Sequence, residues 1–123
     1  GSTDTKTMKG AARFLITKIQ EKYPNALIIC MTVWEVGGNT NSAGNYCSDY
    51  GKALLEVCAD MNVPCINAMD QELTGVKMTD ANFRSKYCMK ASDISHLNEA
   101  GMKLVFPVFE KAIADFYAAS IKQ

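Results

Sequence analysis

The chain has 123 residues, a length that suits a single domain. Hydrophobic residues make up 48% and charged residues 21%, which are ordinary values for a folded globular protein and argue against disorder. The 13 basic and 13 acidic side chains cancel, so the basic surplus that favours nucleic acid or an anionic membrane as a partner is absent. The longest uncharged apolar stretch, residues 26–33, is much shorter than the roughly 20 residues that span a bilayer.

The first two residues, Gly1 and Ser2, resemble a remnant of cloning, and we take residues 3–123 as part of one domain. We expect the native N-terminus, with any signal it carried, to lie upstream. No secretory signal is visible in the sequence. A secreted, periplasmic or cytoplasmic location therefore stays open.

Five cysteines lack the spacing of a zinc site, and the chain has one histidine, so neither a metal nor another cofactor is predicted. Cys30, Cys58 and Cys65 fall in apolar periodic segments, where we expect them to act as small core residues. Cys47 and Cys88 lie in polar stretches and could form a disulfide in an oxidising compartment. The sequence leaves that pairing open.

Hydrophobic periodicity divides the chain into alternating helices and strands. In chain order we predict a helix from Met8 to a breaker at 23–25, a strand at 26–31 and a loop at 35–45. A helix from Tyr46 and a strand at 63–67 follow. A polar stretch at 70–93 with few periodic signals then leads to a closing helix from Asn98. This order of helix, strand, helix, strand and helix favours an α/β fold with a parallel sheet. Residues 26–31 are apolar on both faces, which predicts a strand with neighbours on both edges, so the chain is expected to be part of a doubly wound domain.

The segment from Ser92 to Gly101 carries the candidate chemistry. It places the only histidine, His96, three residues after Asp93 and just before a helix N-terminus. On one turn, the Asp93 carboxylate could accept a hydrogen bond from Nδ1–H of His96. That bond would fix the tautomer and leave Nε2 free to take a proton from a nucleophile. The spacing is also compatible with a surface turn in which Asp93 and Asn98 are helix caps.

The run Asp93-Ile-Ser-His96-Leu-Asn-Glu-Ala-Gly101, followed by a closing apolar helix, resembles the last block of the SGNH, or GDSL-type, serine esterases and acylhydrolases. The resemblance extends in element order over residues 6–120. It implies a flavodoxin-like three-layer α/β/α fold with a five-stranded parallel sheet, hydrolysis of carboxylic esters, and no metal. Asp93 would match the orienting acid and His96 the general base. Residues 3–123 would then be the C-terminal part of one such domain.

The sequence departs from this family at its N-terminal side. No Gly-Asp-Ser motif is present to supply the nucleophile, and the family's Gly-x-Asn-Asp block with the oxyanion asparagine is absent. At residues 1–4, Thr3 stands where that asparagine would be. We therefore expect an incomplete helix, strand, helix, strand and helix portion of the fold. Such a portion has the base and its orienting acid but neither the nucleophile nor the oxyanion hole.

Four further residues have candidate roles. Ser92 and Ser95 flank the motif but lack a nucleophile-elbow sequence, and one turn cannot easily present their Oγ to Nε2 of His96. Cys88 has lysines nearby that could activate a thiol, although these could equally mark a solvated loop. Trp34 ends the first strand and could form a wall of an acyl or sugar pocket, or simply cover the core.

These observations lead to two hypotheses. In the first, the chain is the C-terminal portion of a serine ester hydrolase, inactive alone, whose partners are an ester substrate and the missing N-terminal part of its domain or a second copy in an exchanged dimer. In the second, it is a non-catalytic α/β interaction or assembly module. The sequence does not indicate acyl or alcohol specificity, nor the oligomeric state.

Overall fold

The computed structural model describes residues 1–36, 38 and 40–122. Within them the chain forms helices and two very short strands. The elements are α1 (Met8–Lys22), β1 (Cys30–Met31), α2 (Cys47–Asp60), β2 (Cys65–Ile66), α3 (Gln71–Thr74), α4 (Ala81–Tyr87) and α5 (Glu99–Ser120). The predicted helices from Met8, Tyr46 and Asn98 are confirmed. Two positions of the predicted loop at 35–45, Gly37 and Asn39, lie outside the described residues, as does Gln123.

Helix α1 begins and ends where its capping residues predict. Thr7 is the N-cap, and its hydroxyl accepts a hydrogen bond from the amide of Gly10 at 3.1 Å. The helix ends at Lys22, before Pro24. Its buried side chain Ile16 packs with Val57 and Cys58 of α2. Ion pairs join the two helices along their exposed sides, from Lys9 to Glu56 and from Arg13 to Asp60.

The two strands pair in parallel, with Cys30 opposite Cys65 and Met31 opposite Ile66. The ladder cannot extend backwards along the chain, because Pro64 has no amide to donate and Asn62 has a left-handed φ of 53°. It cannot extend forwards either, since the amide of Ala68 turns back onto the carbonyl of Ile66. The strand predicted over residues 26–31 is therefore paired only at its last two residues.

The prediction of a flavodoxin-like three-layer α/β/α fold is wrong. The described part of the chain is mostly helical, and its sheet has two strands only. An apolar run such as 26–31 indicates that a segment is buried, but it does not supply hydrogen-bonding partners for the segment's backbone. Its one neighbouring strand begins only after Pro64, and residues 26–29 of this run have no regular secondary structure.

The polar stretch at 70–93, in which few periodic signals were found, contains α3 and α4. Both helices begin at an aspartate. The carboxylate of Asp70 accepts from the amides of Glu72 and Leu73 at 2.9 and 3.3 Å, and that of Asp80 accepts from Asn82 at 2.8 Å. The C-cap of α3 is Gly75, in the left-handed conformation that glycine adopts without strain. These helices are too short for hydrophobic periodicity to reveal, although their caps are visible in the sequence.

The core consists of two clusters of buried side chains. One lies between α1 and α2, and Cys58 belongs to it while Cys30 and Cys65 pack against it, as predicted. The other lies under α4 and α5, and Trp34 packs against it from the segment after β1. The members of this second cluster are Val76, Met78, Phe83, Cys88, Leu97 and Val105.

No helix of the described residues is both long and apolar enough to cross a membrane.

Candidate functional site

The segment between α4 and α5 forms a closed turn that carries Asp93 and His96 at its tip. Cys88 and Leu97 form an antiparallel bridge at its base, and the amide of Met89 donates to the carbonyl of His96 at 3.1 Å. Leu97 is buried in the core beneath α5. The base of the turn is therefore anchored by packing, while its tip faces outward.

Asn98 joins this turn to α5. Its Oδ1 accepts from the amide of Gly101 at 3.0 Å, which makes it the N-cap that the sequence predicted. Its Nδ2 donates to the carbonyls of Lys86 and Cys88, both at 3.0 Å. The Asn98 side chain thus bonds an otherwise free amide at the start of α5. It also bonds the two carbonyls on either side of Tyr87, the last residue of α4.

Gly101 is required by close approach of the backbone. A Cβ atom at this position would lie 2.4 Å from the carbonyl oxygen of Tyr87 and 2.9 Å from Cβ of Leu97. That carbonyl also accepts the amide of Asn98 at 2.8 Å, so it is not free to move away. The glycine of the Asp-x-x-His block therefore has a packing role, which sets how closely α5 lies against the turn.

The carboxylate of Asp93 is the centre of the turn's hydrogen bonds. Its Oδ1 accepts from the amides of Ser95 at 3.0 Å and His96 at 2.9 Å, an arrangement typical of an aspartate that closes a turn on its own backbone. These two amide bonds, followed by the interaction with the His96 side chain, lower the pKa of Asp93 from 3.8 to about 2. Asp93 is therefore ionised at any pH well above this lowered pKa.

The predicted pairing of Asp93 and His96 is present in the structure. Nδ1 of His96 lies 3.1 Å from Oδ1 and 3.2 Å from Oδ2 of Asp93. The His96 side chain is 76% exposed, whereas that of Asp93 is 19% exposed. Within the described residues, no hydrogen bond involves Nε2 of His96. The ring is thus held at one nitrogen, and its other nitrogen faces solvent.

Ser95 lies on the wrong side of this ring to be a nucleophile for it. Its Oγ is 3.0 Å from Nδ1 of His96, the nitrogen that faces Asp93, and 3.3 Å from Oδ1 of Asp93. If Nδ1–H donates to Asp93, the Ser95 hydroxyl donates to the same carboxylate. Ser92 is exposed on the turn and makes no hydrogen bond to His96 in the described structure. Ser95 therefore braces the acid.

Cys88 has the environment of a structural cysteine. It is 4% exposed, and its Sγ lies 3.5 Å from Sδ of Met78. Burial raises the pKa of its thiol, and the nearby charge of Asp93 raises it further, which disfavours the thiolate that a nucleophile needs. All five cysteines are free thiols, so Cys47 and Cys88 are not bridged.

Trp34 connects the segment after β1 to the turn. Its Nε1 donates to the carbonyl of Ser95 at 2.8 Å, between residues 61 positions apart in sequence. Trp34 also lines a mainly apolar cavity of about 270 Å³, together with Val33, Cys47 and Ser95. Both interpretations of this residue therefore have a structural counterpart, since it lines a cavity next to His96 and it covers the core.

Arg84 is a positioning residue that the sequence analysis missed. From α4, its Nε donates to the carbonyl of Ala91 at 3.0 Å and its Nη1 to that of Met78 at 2.8 Å. These bonds hold the first half of the turn against the helix. No pattern in the sequence indicates them, because an arginine on a short polar helix resembles an ordinary surface residue.

The described residues contain no cluster of three or more His, Cys, Asp or Glu suited to a metal ion.

Comparisons with known proteins give the fold but no function. No protein-family model matches the chain, and no curated protein does. One crystal structure is similar with a TM-score of 0.80 and 26% identity, over 94% of this chain and 55% of that one. A crystal structure of a protein from Lactobacillus plantarum is similar with a TM-score of 0.80 and 23% identity, over 94% of this chain and 57% of that one. The chain thus spans little more than half the length of either neighbour.

Proposed function

We propose that the chain supplies the general base and the orienting acid of a serine ester hydrolase of the SGNH type. The supporting observation is the geometry of one pair. Nδ1 of His96 is held 3.1 Å from the Asp93 carboxylate, while its ring is 76% exposed. A base of this kind needs one nitrogen fixed by an acid and the other open to a hydroxyl group.

In this reaction the two residues have distinct roles. A serine that is not part of this chain attacks the ester carbonyl, and Nε2 of His96 takes the proton from its hydroxyl. His96 then gives that proton to the leaving alcohol, and an activated water releases the acid from the acyl-serine. Asp93 keeps the ring in the tautomer with hydrogen on Nδ1 and stabilises the imidazolium that forms. The lowered pKa of Asp93 supports this role, because the acid remains charged throughout.

The nucleophile and the oxyanion donors must come from elsewhere, because the sequence has no Gly-Asp-Ser motif and Ser95 faces the wrong nitrogen. In our proposal they belong to the missing N-terminal part of the same domain, or to a second copy in an exchanged dimer. The substrate is a carboxylic ester, and the cavity beside Trp34 is a candidate site for one of its groups.

A non-catalytic interaction or assembly module is the second candidate. It is favoured by the large apolar side chains that the structure leaves exposed, among them Phe106 at 64% and Tyr117 at 60%. The two candidates differ in what they require of His96. A module needs only the fold of the turn, whereas a hydrolase needs the free nitrogen of the ring.

The first experiment uses the chain by itself. The purified 123-residue protein should hydrolyse p-nitrophenyl acetate no faster than its His96→Ala variant, because a triad without its serine loses several powers of ten in rate. A fluorophosphonate probe, which labels activated serines, should leave Ser92 and Ser95 unlabelled. Labelling at either serine would contradict the proposed division of the site.

The second experiment uses the natural reading frame. The hydrolase proposal expects it to continue upstream of Thr3 into a Gly-Asp-Ser motif. In that longer polypeptide, His96→Ala should lower kcat by about six powers of ten and Asp93→Asn by about four. Lys90→Ala, an exposed change on the same turn, is the matched control and should leave kcat unchanged. A reading frame that starts near residue 3 would favour the interaction module. An active His96→Ala variant would instead show that His96 is not the general base.

A further inference from the structure

One edge of β1 is unpaired in the structure. The amides of Cys30 and Thr32 donate to the carbonyls of Pro64 and Ile66 at 2.9 and 3.0 Å, so both point towards β2. Successive amides of an extended chain point to opposite sides. The amide of Met31 therefore faces the other edge, and the amide of Val33 donates no hydrogen bond within the described residues. No strand within residues 1–36, 38 and 40–122 pairs on that side.

Apolar walls border this edge on both faces of the strand. On one face, a groove of about 750 Å³ lies between residues 27–29 and α5, where Phe106, Ile113 and Tyr117 are 64%, 49% and 60% exposed. On the other face, a groove of about 380 Å³ lies between Cys30 and α1, and Leu15 there is 59% exposed. Exposed apolar surface is thus concentrated on both sides of a row of unpaired peptide groups.

These two observations specify what would fit. Unpaired amides and carbonyls in a row require an extended backbone, because a helix has its own groups already bonded. Two apolar walls, one for each face, require a strand whose alternating side chains are apolar in both directions. Among the described residues that line the two grooves, Glu110 alone is charged, so a charged partner has little to recognise.

We propose that this edge binds one extended strand, apolar on both faces, from a polypeptide segment outside residues 1–123. The lengths of the structural neighbours support a separate segment as the source. This chain covers 55% and 57% of them, so each carries the same fold together with much additional polypeptide. The inference rests on backbone and packing and does not depend on ester hydrolysis.

The test uses amide exchange and NMR titration of the full 123-residue chain. The probe is a soluble peptide of six alternating valines and isoleucines between pairs of lysines. Without the peptide, the amides of Met31 and Val33 should exchange quickly, and those of Cys30 and Thr32 slowly. With the peptide, all four should be protected, and the resonances of Ile113 and Tyr117 should shift. The same peptide with every backbone amide methylated should not bind, because it cannot form the ladder.

Three variants test whether the peptide binds at this edge. Val33→Pro removes an edge amide and should weaken peptide binding about three- to tenfold, the range expected for one hydrogen bond. Ile113→Lys places a charge in the α5 wall and should weaken it at least as much. Met89→Lys changes an equally exposed residue outside both grooves and should have no effect. All three positions are exposed, and dispersed amide spectra would establish that each variant is folded.

Two results would overturn the proposal. One is a folded chain that does not bind the peptide, or that binds the methylated peptide equally well, since that would show apolar adhesion without strand pairing. The other is a dimer at micromolar concentration in which Met31 and Val33 are protected before any peptide is added. In that case a second copy of the chain, and not a separate strand, covers the edge.

Discussion

Replacing Gly101 with alanine tests the packing that holds the candidate site together. The new methyl group would lie 2.4 Å from the Tyr87 carbonyl oxygen, whereas ordinary contacts of a Cβ atom begin at about 3.4 Å. Either α5 or the backbone near Tyr87 must then move by about 1 Å. Tyr87 cannot yield alone, because its carbonyl accepts the amide of Asn98.

The cost follows from two opposing effects. Overpacking of this kind costs about 1–3 kcal/mol, and contact with a backbone atom belongs at the upper end. Alanine regains up to about 1 kcal/mol of helix propensity. We therefore expect Gly101→Ala to lower the free energy of unfolding by about 2 kcal/mol, which for a chain of this size lowers Tm by roughly 8 °C.

Urea denaturation followed by circular dichroism measures this change, with Gly44→Ala as the control. Gly44 differs from Gly101 in having a positive φ, of 79°, and nothing lies within 4 Å of a Cβ added there. That control should lose only the 1–2 kcal/mol of a strained backbone and should leave the His96 resonances in place. Gly101→Ala should shift them. A Gly101→Ala variant as stable as the wild type, with unchanged His96 resonances, would refute the reasoning.

Three further predictions follow from the site. The carboxyl carbon of Asp93 should titrate by NMR near pH 2, and a midpoint near 3.8 would contradict this. Because its pKa is lowered on folding, the stability that Asp93 adds over Asp93→Asn should be constant above about pH 5 and should disappear as the pH falls towards 2. Trp34→Phe removes the bond to the Ser95 carbonyl and should cost about 1 kcal/mol in urea denaturation, with no loss counting against a positioning role. An aromatic disulfide reagent should leave Cys58 and Cys88 unmodified in the native chain, because both are buried and burial raises the pKa of both thiols. In urea it should react with all five thiols. Rapid modification of Cys88 in the native chain would indicate that this thiol is reactive enough to be a nucleophile.

The sequence predicted local features well and long-range features poorly. The turn at Asp93 and His96 and the cap at Asn98 depend on residues within three or four positions of one another, so spacing alone indicates them. The bond from Trp34 to the Ser95 carbonyl crosses 61 positions and leaves no pattern.

The fold prediction failed for a different reason. Hydrophobicity at residues 26–31 indicates burial correctly but says nothing about the number of neighbouring strands. Pairing was limited by Pro64 and by Asn62, which has a left-handed φ, because both residues lie just before β2 in the chain. The short helices α3 and α4 were missed because seven residues or fewer give no periodicity, and only the caps at Asp70 and Asp80 could have revealed them.

The bonds that Asn98 makes across the turn also bear on how the chain folds. They join positions 10 and 12 residues apart, whereas the parallel ladder joins Cys30 to Cys65, 35 residues apart. Closing the longer loop costs about 1 kcal/mol more in chain entropy than closing the turn. Local contacts of this kind tend to form before distant strand pairs. Mutations at Asn98 should thus slow folding, while mutations in β1 should mainly speed unfolding, so the His96 turn would form independently of the sheet.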